Sequence, residues 1–442
     1  MLDFIRRLFA RAPRFPGANA LGPVFISYRQ SDGTEVATDI AWALRAAGVP
    51  VWQDKSDLPP GDTRDRLDEA LDSGLSGAVL LITPEIQHSE VVRDTELPRL
   101  LALAKDRSFA LSIGSTIERS PGKLDYRAPD RLLHQRRARL SRFDQRPIST
   151  GTQRAELARI QCRRRMQALH AEIETSGRAL LIDVQTRVPP FAALFDADLV
   201  LRLRPPEDRN RRPHVRGLQD LQLFLADLPY LIDLAGARKI RLRGAAHLSV
   251  AYAIGAALPT TKYGTVEVED TGGFVWSLGA PVPVPAEGQS LIAAEVLRHE
   301  ADGHAAVLIY VDLLSERSDA AFDALISAVD PFQGVAHLRP TAVGNLDSSD
   351  TGALVGEISQ FVRRFADQHQ TTDVHLLLRC PWPLALQIGR ALNTMRVRLY
   401  EWEDRAEADG TAMPAGYHPS LVVRSGTGAS PIEAVLLEGT DG

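Results

Sequence analysis

Cysteine is almost missing from this chain. Cys162 and Cys380 are the two copies, far apart and outside any paired motif. That excludes a disulfide framework and a cysteine-based metal or redox centre, and free buried thiols in a reducing cytoplasm are expected instead. Long apolar runs are missing as well. No stretch approaches the roughly 18–20 residues that a membrane-spanning helix needs, so no membrane partner is expected. Charge of one sign is also in short supply: 51 Lys and Arg against 56 Asp and Glu leave a net −5, which argues against a whole surface built for nucleic acid. Several chemical signatures fail. His299, Glu300 and His304 read HExxxH rather than HExxH, so the imidazoles miss the one-turn spacing of a zinc helix. The glycine-rich SGTGAS at 425–430 lacks a Walker lysine, and no Ser-His-Asp set can be argued from order or context. No metal site is expected.

What is present is an alternation of strands and helices. At 442 residues, 44% apolar and 24% charged, the chain has room for two or three domains, each with a core. Val24 to Tyr28 reads as an apolar strand breaking into a polar loop at Arg29 to Gly33. Val49 to Gln53 is a second strand, followed by an acidic turn with Pro59, Pro60 and Gly61. Ala78 to Thr83 is a third, leading to a helix that holds Glu90, Asp94 and Glu96, and Ser108 to Ile113 is a further strand. Between them, Val36 to Ala47 and Asp62 to Ser73 space their apolar residues three or four apart, as helices on a sheet do. Such a pattern specifies a parallel α/β sheet, in which ligands gather at the carboxyl ends of the strands.

These residues resemble a TIR domain, expected over 21–148. The opening strand is Val24-Phe25-Ile26-Ser27-Tyr28. Then come Gly48, Val51-Trp52-Gln53-Asp54, Leu58 and Pro60-Gly61, and finally Ser89 with Glu96-Leu97. The resemblance implies a flavodoxin-like parallel sheet and cleavage of NAD+, which is then substrate and not cofactor. Nicotinamide leaves that bond as a neutral molecule, so acid catalysis is hardly needed. The site must stabilise an oxocarbenium-like ribose and grip its hydroxyls, for which one carboxylate suffices. By the resemblance that carboxylate is Glu96, with Glu90 the alternative if the helix register differs. Many TIR domains carry Trp four residues earlier, where this chain has Val92; the departure touches aromatic stacking near the nicotinamide and leaves the carboxylate in place. Ser27, Tyr28 and Arg29 are candidates to hold the ribose or phosphates, with Arg29 the best anion partner. Trp52 is either core or substrate contact, and Asp54 follows it. The turn containing Asp57, Leu58, Pro60 and Gly61 is the loop through which TIR domains commonly pack on neighbours, and equally what any stiff turn looks like.

Two flanking segments read more plainly. Residues 1–20 form a basic extension in which Leu2, Phe4, Ile5, Leu8 and Phe9 can share a helical face, ended by Pro13 and Pro16; it is too short and too charged for a signal peptide. Residues 119–165 carry fourteen Lys or Arg against Asp125, Asp130, Asp144 and Glu156. Without interleaved aromatics this run reads as a solvated connector and helix face, not a DNA surface.

From Ala179 onward the chain contains an internal repeat. Lys239 to Asp270, slid by 134 positions onto Asp373 to Asp404, matches at ten of 32 positions without a gap. The matches include Ile254-Gly255 with Ile388-Gly389, and Glu267, Glu269 and Asp270 with Glu401, Glu403 and Asp404. Each half also has a buried-strand run (179–184 and 306–311) and a long amphipathic helix (Leu218 to Leu234 and Leu354 to Asp367). Two similar α/β halves follow, about 175–300 and 301–442. This arrangement behind a TIR domain resembles the SAVED domain, a tandem of CARF-like Rossmannoid halves, over 149–442. The resemblance implies a cytoplasmic effector of bacterial cyclic-oligonucleotide anti-phage (CBASS) defence. Its signal would be a cyclic oligonucleotide such as cyclic tri-adenylate, made by a partner cyclase. Binding would drive self-association into oligomers or filaments and activate the TIR domain.

Phosphate contacts are expected where loops after strands meet helix N-termini. Arg379 and Trp382 form the best pair, guanidinium for phosphate and indole for a stacked base. His247 and Ser249 lie in the equivalent loop of the first half, and Arg187, Arg317 and Trp276 are further candidates. Trp402 reads as packing. The rival readings are a non-enzymatic TIR adaptor, an enzyme that makes a cyclic ADP-ribose signal, and a binder of DNA through 119–165.

Overall fold

The computed structural model describes residues 18–52, 74–135, 140–187, 196–206, 212–278, 290–298, 306–316, 318–328, 332–342, 344, 346–403, 415–424, 426 and 429–437. It contains two compact units. The first comprises Met1–Leu44, Val49–Ala168 and Phe191–Asp196, the second Arg45–Gly48, Leu169–Pro190 and Ala197–Gly442. Asp54, Asp57, Leu58, Pro60, Gly61 and Arg317 lie outside the described residues.

In the first unit, β1 (Val24–Ser27), β2 (Val51–Trp52), β3 (Gly77–Ile82) and β4 (Ala110–Ser115) are followed by a small antiparallel hairpin, β5 (Glu118–Ser120) and β6 (Lys123–Leu124), and by β7 (Asp144–Pro147). The main sheet runs β2-β1-β3-β4-β7 with every neighbour parallel. This is the flavodoxin-like order, and its switch point lies between β1 and β3. Each residue of β1, β3 and β4 is buried, as expected for a parallel sheet covered on both faces.

Helix α1 (Gln30–Ala46) begins directly after Arg29, so the polar loop expected at Arg29 to Gly33 is helical from Gln30. Asp32 in its first turn favours this start, because a carboxylate there complements the helix dipole. Helices α2 (Leu97–Leu103), α3 (Ala128–Leu132) and α4 (Gly151–Ser176) follow. The face of α4 is not the solvated one expected. Arg165 is buried and donates to the backbone oxygens of Gly22 and Leu21 at 2.8 and 2.9 Å, and Gln161 reaches Ala110 O at 3.3 Å. Arg154 pairs with Asp39, and Arg164 with Asp144 at 3.6 Å. These arginines satisfy backbone carbonyls and acids inside the unit, which periodicity in sequence does not reveal.

The second unit holds the two halves. The first is β8 (Leu180–Gln185), β9 (Leu199–Arg202), α5 (Val215–Leu234), β10 (Lys239–Ala245), α6 (Leu248–Ala257), β11 (Thr265–Glu269) and β12 (Val275–Ser277). The second is β13 (Ile292–Arg298), β14 (Ala306–Asp312), α7 (Ala320–Ala328), β15 (Phe332–Pro340), α8 (Thr351–Gln368), β16 (Asp373–Arg379), α9 (Trp382–Ala391), β17 (Arg396–Glu403), β18 (Gly416–Arg424) and β19 (Ile432–Val435). The first sheet runs β12-β11-β10-β8-β9, and the core of the second runs β18-β17-β16-β14-β15, flanked by β13 and β19. The duplication is therefore topological as well as sequential.

The repeated Ile-Gly pair has a packing role. A Cβ on Gly255 of α6 would lie 1.9 Å from Leu386 O of α9, and one on Gly389 of α9 would lie 2.2 Å from Tyr252 O of α6. Leu386 and Gly389 are Tyr252 and Gly255 advanced by 134, so the contact maps onto itself under the repeat. Two helices can approach this closely only where neither carries a side chain at the crossing. One asymmetric addition clamps the pair. Arg390, fully buried, donates to Leu258 O at 2.9 Å, Tyr263 O at 2.6 Å and Gln387 Oε1 at 2.9 Å. Burial lowers its pKa to about 10.

Candidate functional site

The carboxyl end of β1 meets a single π-helical turn, Val91–Glu96, in which Leu97 N–H bonds to Val92 O. The turn gives way to α2 at Pro98, which has no N–H for a backward hydrogen bond. π-Turns often mark functional positions because they redirect a side chain that regular helix would aim elsewhere. Here the residue is Glu96. Its carboxylate Oε2 accepts a 2.6 Å hydrogen bond from Ser27 Oγ, and both residues are buried. Glu90 is exposed, so of the two glutamates it is Glu96 that faces the switch point. Asp94 is exposed and paired with Arg93 at 2.8 Å. Val92 is buried in a cluster with Leu80, Ile82 and Ile113, where it offers no stacking surface.

A second tie spans the same switch point. Asp32 accepts from Thr83 Oγ1 and from the backbone N–H of Glu85, both at 2.9 Å, linking the start of α1 to the end of β3. Tyr28 is buried beside Ser27, and Arg29 turns its Nε to Ser31 Oγ at 2.6 Å. Trp52 packs on the core cluster of Phe25, Leu75, Ala78 and Leu100. Asp32 and Thr83 were not legible as site residues, because their pairing is 51 positions long.

In the second unit a cavity of about 480 Å³ opens at the carboxyl ends of strands from both halves, a size suited to a small organic ligand. It brings together Arg187 and His247 of the first half with Arg379 and Trp382 of the second. His247 caps the N-terminus of α6 and is fixed by Thr186, whose Oγ1 lies 2.8 Å from His247 Nδ1 and accepts from His247 N–H at 2.9 Å. Arg379 donates to Asp312 at 2.6 Å and to the Glu316 carbonyl. Burial opposes the Arg379 charge, but Asp312 outweighs it and the pKa is raised. Burial alone would raise the Asp312 carboxyl; His337 and Arg379 outweigh it and hold the group below the usual carboxylate range.

Two expected contacts fall elsewhere. Trp276 is buried with its indole N–H on Asp270 at 2.9 Å, so it is a packing residue outside the cavity wall. Ser249 does not line the cavity; its N–H holds Glu401 at 2.8 Å and its Oγ lies 3.1 Å from Ser420 Oγ. Trp402, expected as packing, does pack on the Tyr310 cluster and also lines the cavity. Glu401, Tyr400 and Tyr417 line it too and were not anticipated. The one available signal was the identity of Glu267 and Glu401 within the repeat. Among the described residues, Asp312, Asp319 and His337 bring potential metal-ligand atoms within 4.8 Å of one another. Arg379 already pairs with Asp312, and Arg339 with Asp319 at 2.9 Å, so both acids are neutralised by guanidinium.

Comparison with known proteins gives two family matches. The TIR domain model matches residues 24–124. The model described as SMODS-associated and fused to various effectors sensor domain, SAVED, matches residues 229–423. No curated protein matches the chain. Solved structures that match include the Acinetobacter baumannii Cap4 SAVED/CARF-domain containing receptor with the cyclic trinucleotide 3'3'3'-cAAA, at 12% identity and a TM-score of 0.43 over 88% of this chain and 99% of that one. The same receptor with 2'3'3'-cAAA matches at 12% identity and a TM-score of 0.42 over the same shares. The Moraxella osloensis Cap4 receptor matches at 12% identity and 0.38 over 87% and 98%.

Proposed function

Because the chain joins a TIR domain to a SAVED sensor domain, we propose that it is an NAD+ glycohydrolase switched on by a cyclic oligonucleotide, acting in anti-phage defence. The observation that carries the enzymatic half is the buried Ser27–Glu96 hydrogen bond at the β1/β3 switch point. There Glu96 stabilises the positive charge that develops on the ribose as nicotinamide departs, and grips the ribose hydroxyls. Ser27 donates to the carboxylate and fixes its direction, so no reorganisation is needed when charge appears. Water then adds to the ribose carbon and loses a proton, giving ADP-ribose. The cavity shared by the two halves takes the cyclic oligonucleotide, an adenylate in this reading. Ligand binding orders a self-associating surface that brings TIR domains together, with the loop of Asp54 to Gly61 completing the site of a neighbour.

The test is nicotinamide release from NAD+ by the purified protein, with and without cyclic di-, tri- and tetranucleotides. Cleavage with one cyclic ligand and none without it supports the reading. Silence across ligands that demonstrably bind would leave a non-enzymatic adaptor, and product identity separates hydrolysis from cyclisation of ADP-ribose. Ser27→Ala is expected to lower the rate about 10- to 100-fold, the value of a hydrogen bond to a charged group. Most of that loss should fall on kcat; an unchanged kcat would mean that Glu96 is positioned without Ser27.

A further inference from the structure

The cavity of the second unit contains a group that phosphate would not choose. Glu401, on β17, lines it and is 7% exposed. Its Oε1 accepts from the backbone N–H of Ser249 in the first turn of α6 at 2.8 Å. A helix N-terminus is ordinarily a site for an anion, and here the protein's own carboxylate already occupies it. The best cation of the lining is similarly committed, since Arg379 is held by Asp312. A phosphate placed beside Glu401 would meet a fixed negative charge.

The second oxygen, Oε2, accepts no hydrogen bond from any described residue. That oxygen is open to the cavity, where a ligand N–H can pair with it. The opposite deficit lies in the same lining. Trp382 Nε1–H, on a residue 9% exposed, is buried without an acceptor. The Glu401 acceptor, walled by the rings of Trp382, Trp402, Tyr400 and Tyr417, suits the edge of an aromatic heterocycle that presents an amino N–H. Adenine has that edge.

We infer that Glu401 is the specificity-determining residue of this cavity, accepting the amino N–H of a nucleobase while the ligand's phosphates lie toward Arg187. The inference rests on the cyclic-oligonucleotide reading above and assigns the base contact within it. Its counterpart in the first half, Glu267, does not line the cavity, so the duplicated scaffold supplies this contact once. A ligand of strict twofold symmetry therefore gains it on one base only.

The experiment is calorimetric binding of two probes to the full chain. One is cyclic tri-adenylate; the other is its analogue with unsubstituted purine bases, which lacks the 6-amino groups and adds no new polar group. Wild-type protein is expected to prefer the adenine ligand by about 10- to 100-fold. Glu401→Gln keeps an oxygen for Ser249 N–H and turns an amide N–H toward the base, so the preference should collapse to within a few-fold, mainly by loss of the adenine ligand. Adenine binding with an unchanged preference in Glu401→Gln overturns the inference and leaves the sensor reading standing. Equal binding of both probes by the wild type does the same without any variant, so a misfolded variant does not shield the proposal. If the wild type binds neither probe, nor any other cyclic oligonucleotide, both readings fall together.

Discussion

Glu96→Gln is expected to abolish measurable nicotinamide release, lowering kcat by at least about 10²–10³-fold, the scale on which a single preorganised electrostatic group acts. The amide has the shape of the carboxylate and can still accept from Ser27 Oγ across the 2.6 Å contact, so the loss reports charge and not packing. Because the positive charge on ribose develops in the transition state, kcat should fall much more than KM rises. Binding of the cyclic ligand should be unchanged, since the cavity is lined by residues of the second unit alone. Glu90→Gln is the matched control; Glu90 is exposed, and its removal should leave the rate within about twofold. A Glu96→Gln protein that cleaves NAD+ at the wild-type rate ends the assignment. One that is catalytically dead yet keeps its effect in cells points to the adaptor reading.

The second large effect concerns the helix crossing. Gly255→Ala places a methyl group where Leu386 O stands 1.9 Å away, and a backbone oxygen cannot rotate aside as a flexible side chain does. The helices α6 and α9 must separate. We expect at least about 3 kcal/mol of destabilisation, the upper part of the range for overpacking. The gain in helix propensity from replacing glycine, about 1 kcal/mol, is too small to offset it. In thermal unfolding this corresponds to a fall of roughly 6–12 °C for a unit of this size. Gly264→Ala is the control, because nothing lies within 4 Å of its added Cβ. The N-termini of α6 and α9 both reach the cavity, at Leu248 and Trp382, so ligand affinity should fall with stability in Gly255→Ala. A variant as stable as the wild type would contradict the close crossing.

Much of this protein could be read without coordinates, and the reasons are local. Val24 to Ser27 and Gly77 to Ile82 are short, mainly apolar runs between turn residues, and buried parallel strands have that composition. The repeat announced its topology because two copies of one sequence pattern fold into one arrangement of strands. What escaped is non-local. Trp52 was undecided until packing set it against Phe25. Trp276 looked like a ligand contact until its indole N–H was found on Asp270. Arg165 looked like surface charge until its guanidinium was found on two backbone carbonyls.

The sequence by itself determined the two domain types, the parallel sheet and the duplication. These depend on periodicity and on residues close together in the chain. Tertiary structure alone decided that Ser27 meets Glu96 across 69 positions, that Ser249 and Glu401 meet across 152, and that each repeated glycine lies against the backbone of the facing helix. The physical reason is that a hydrogen bond or a close approach depends on direction and distance in space. Chain order constrains neither once the contact spans more than one turn of helix or one pair of strands.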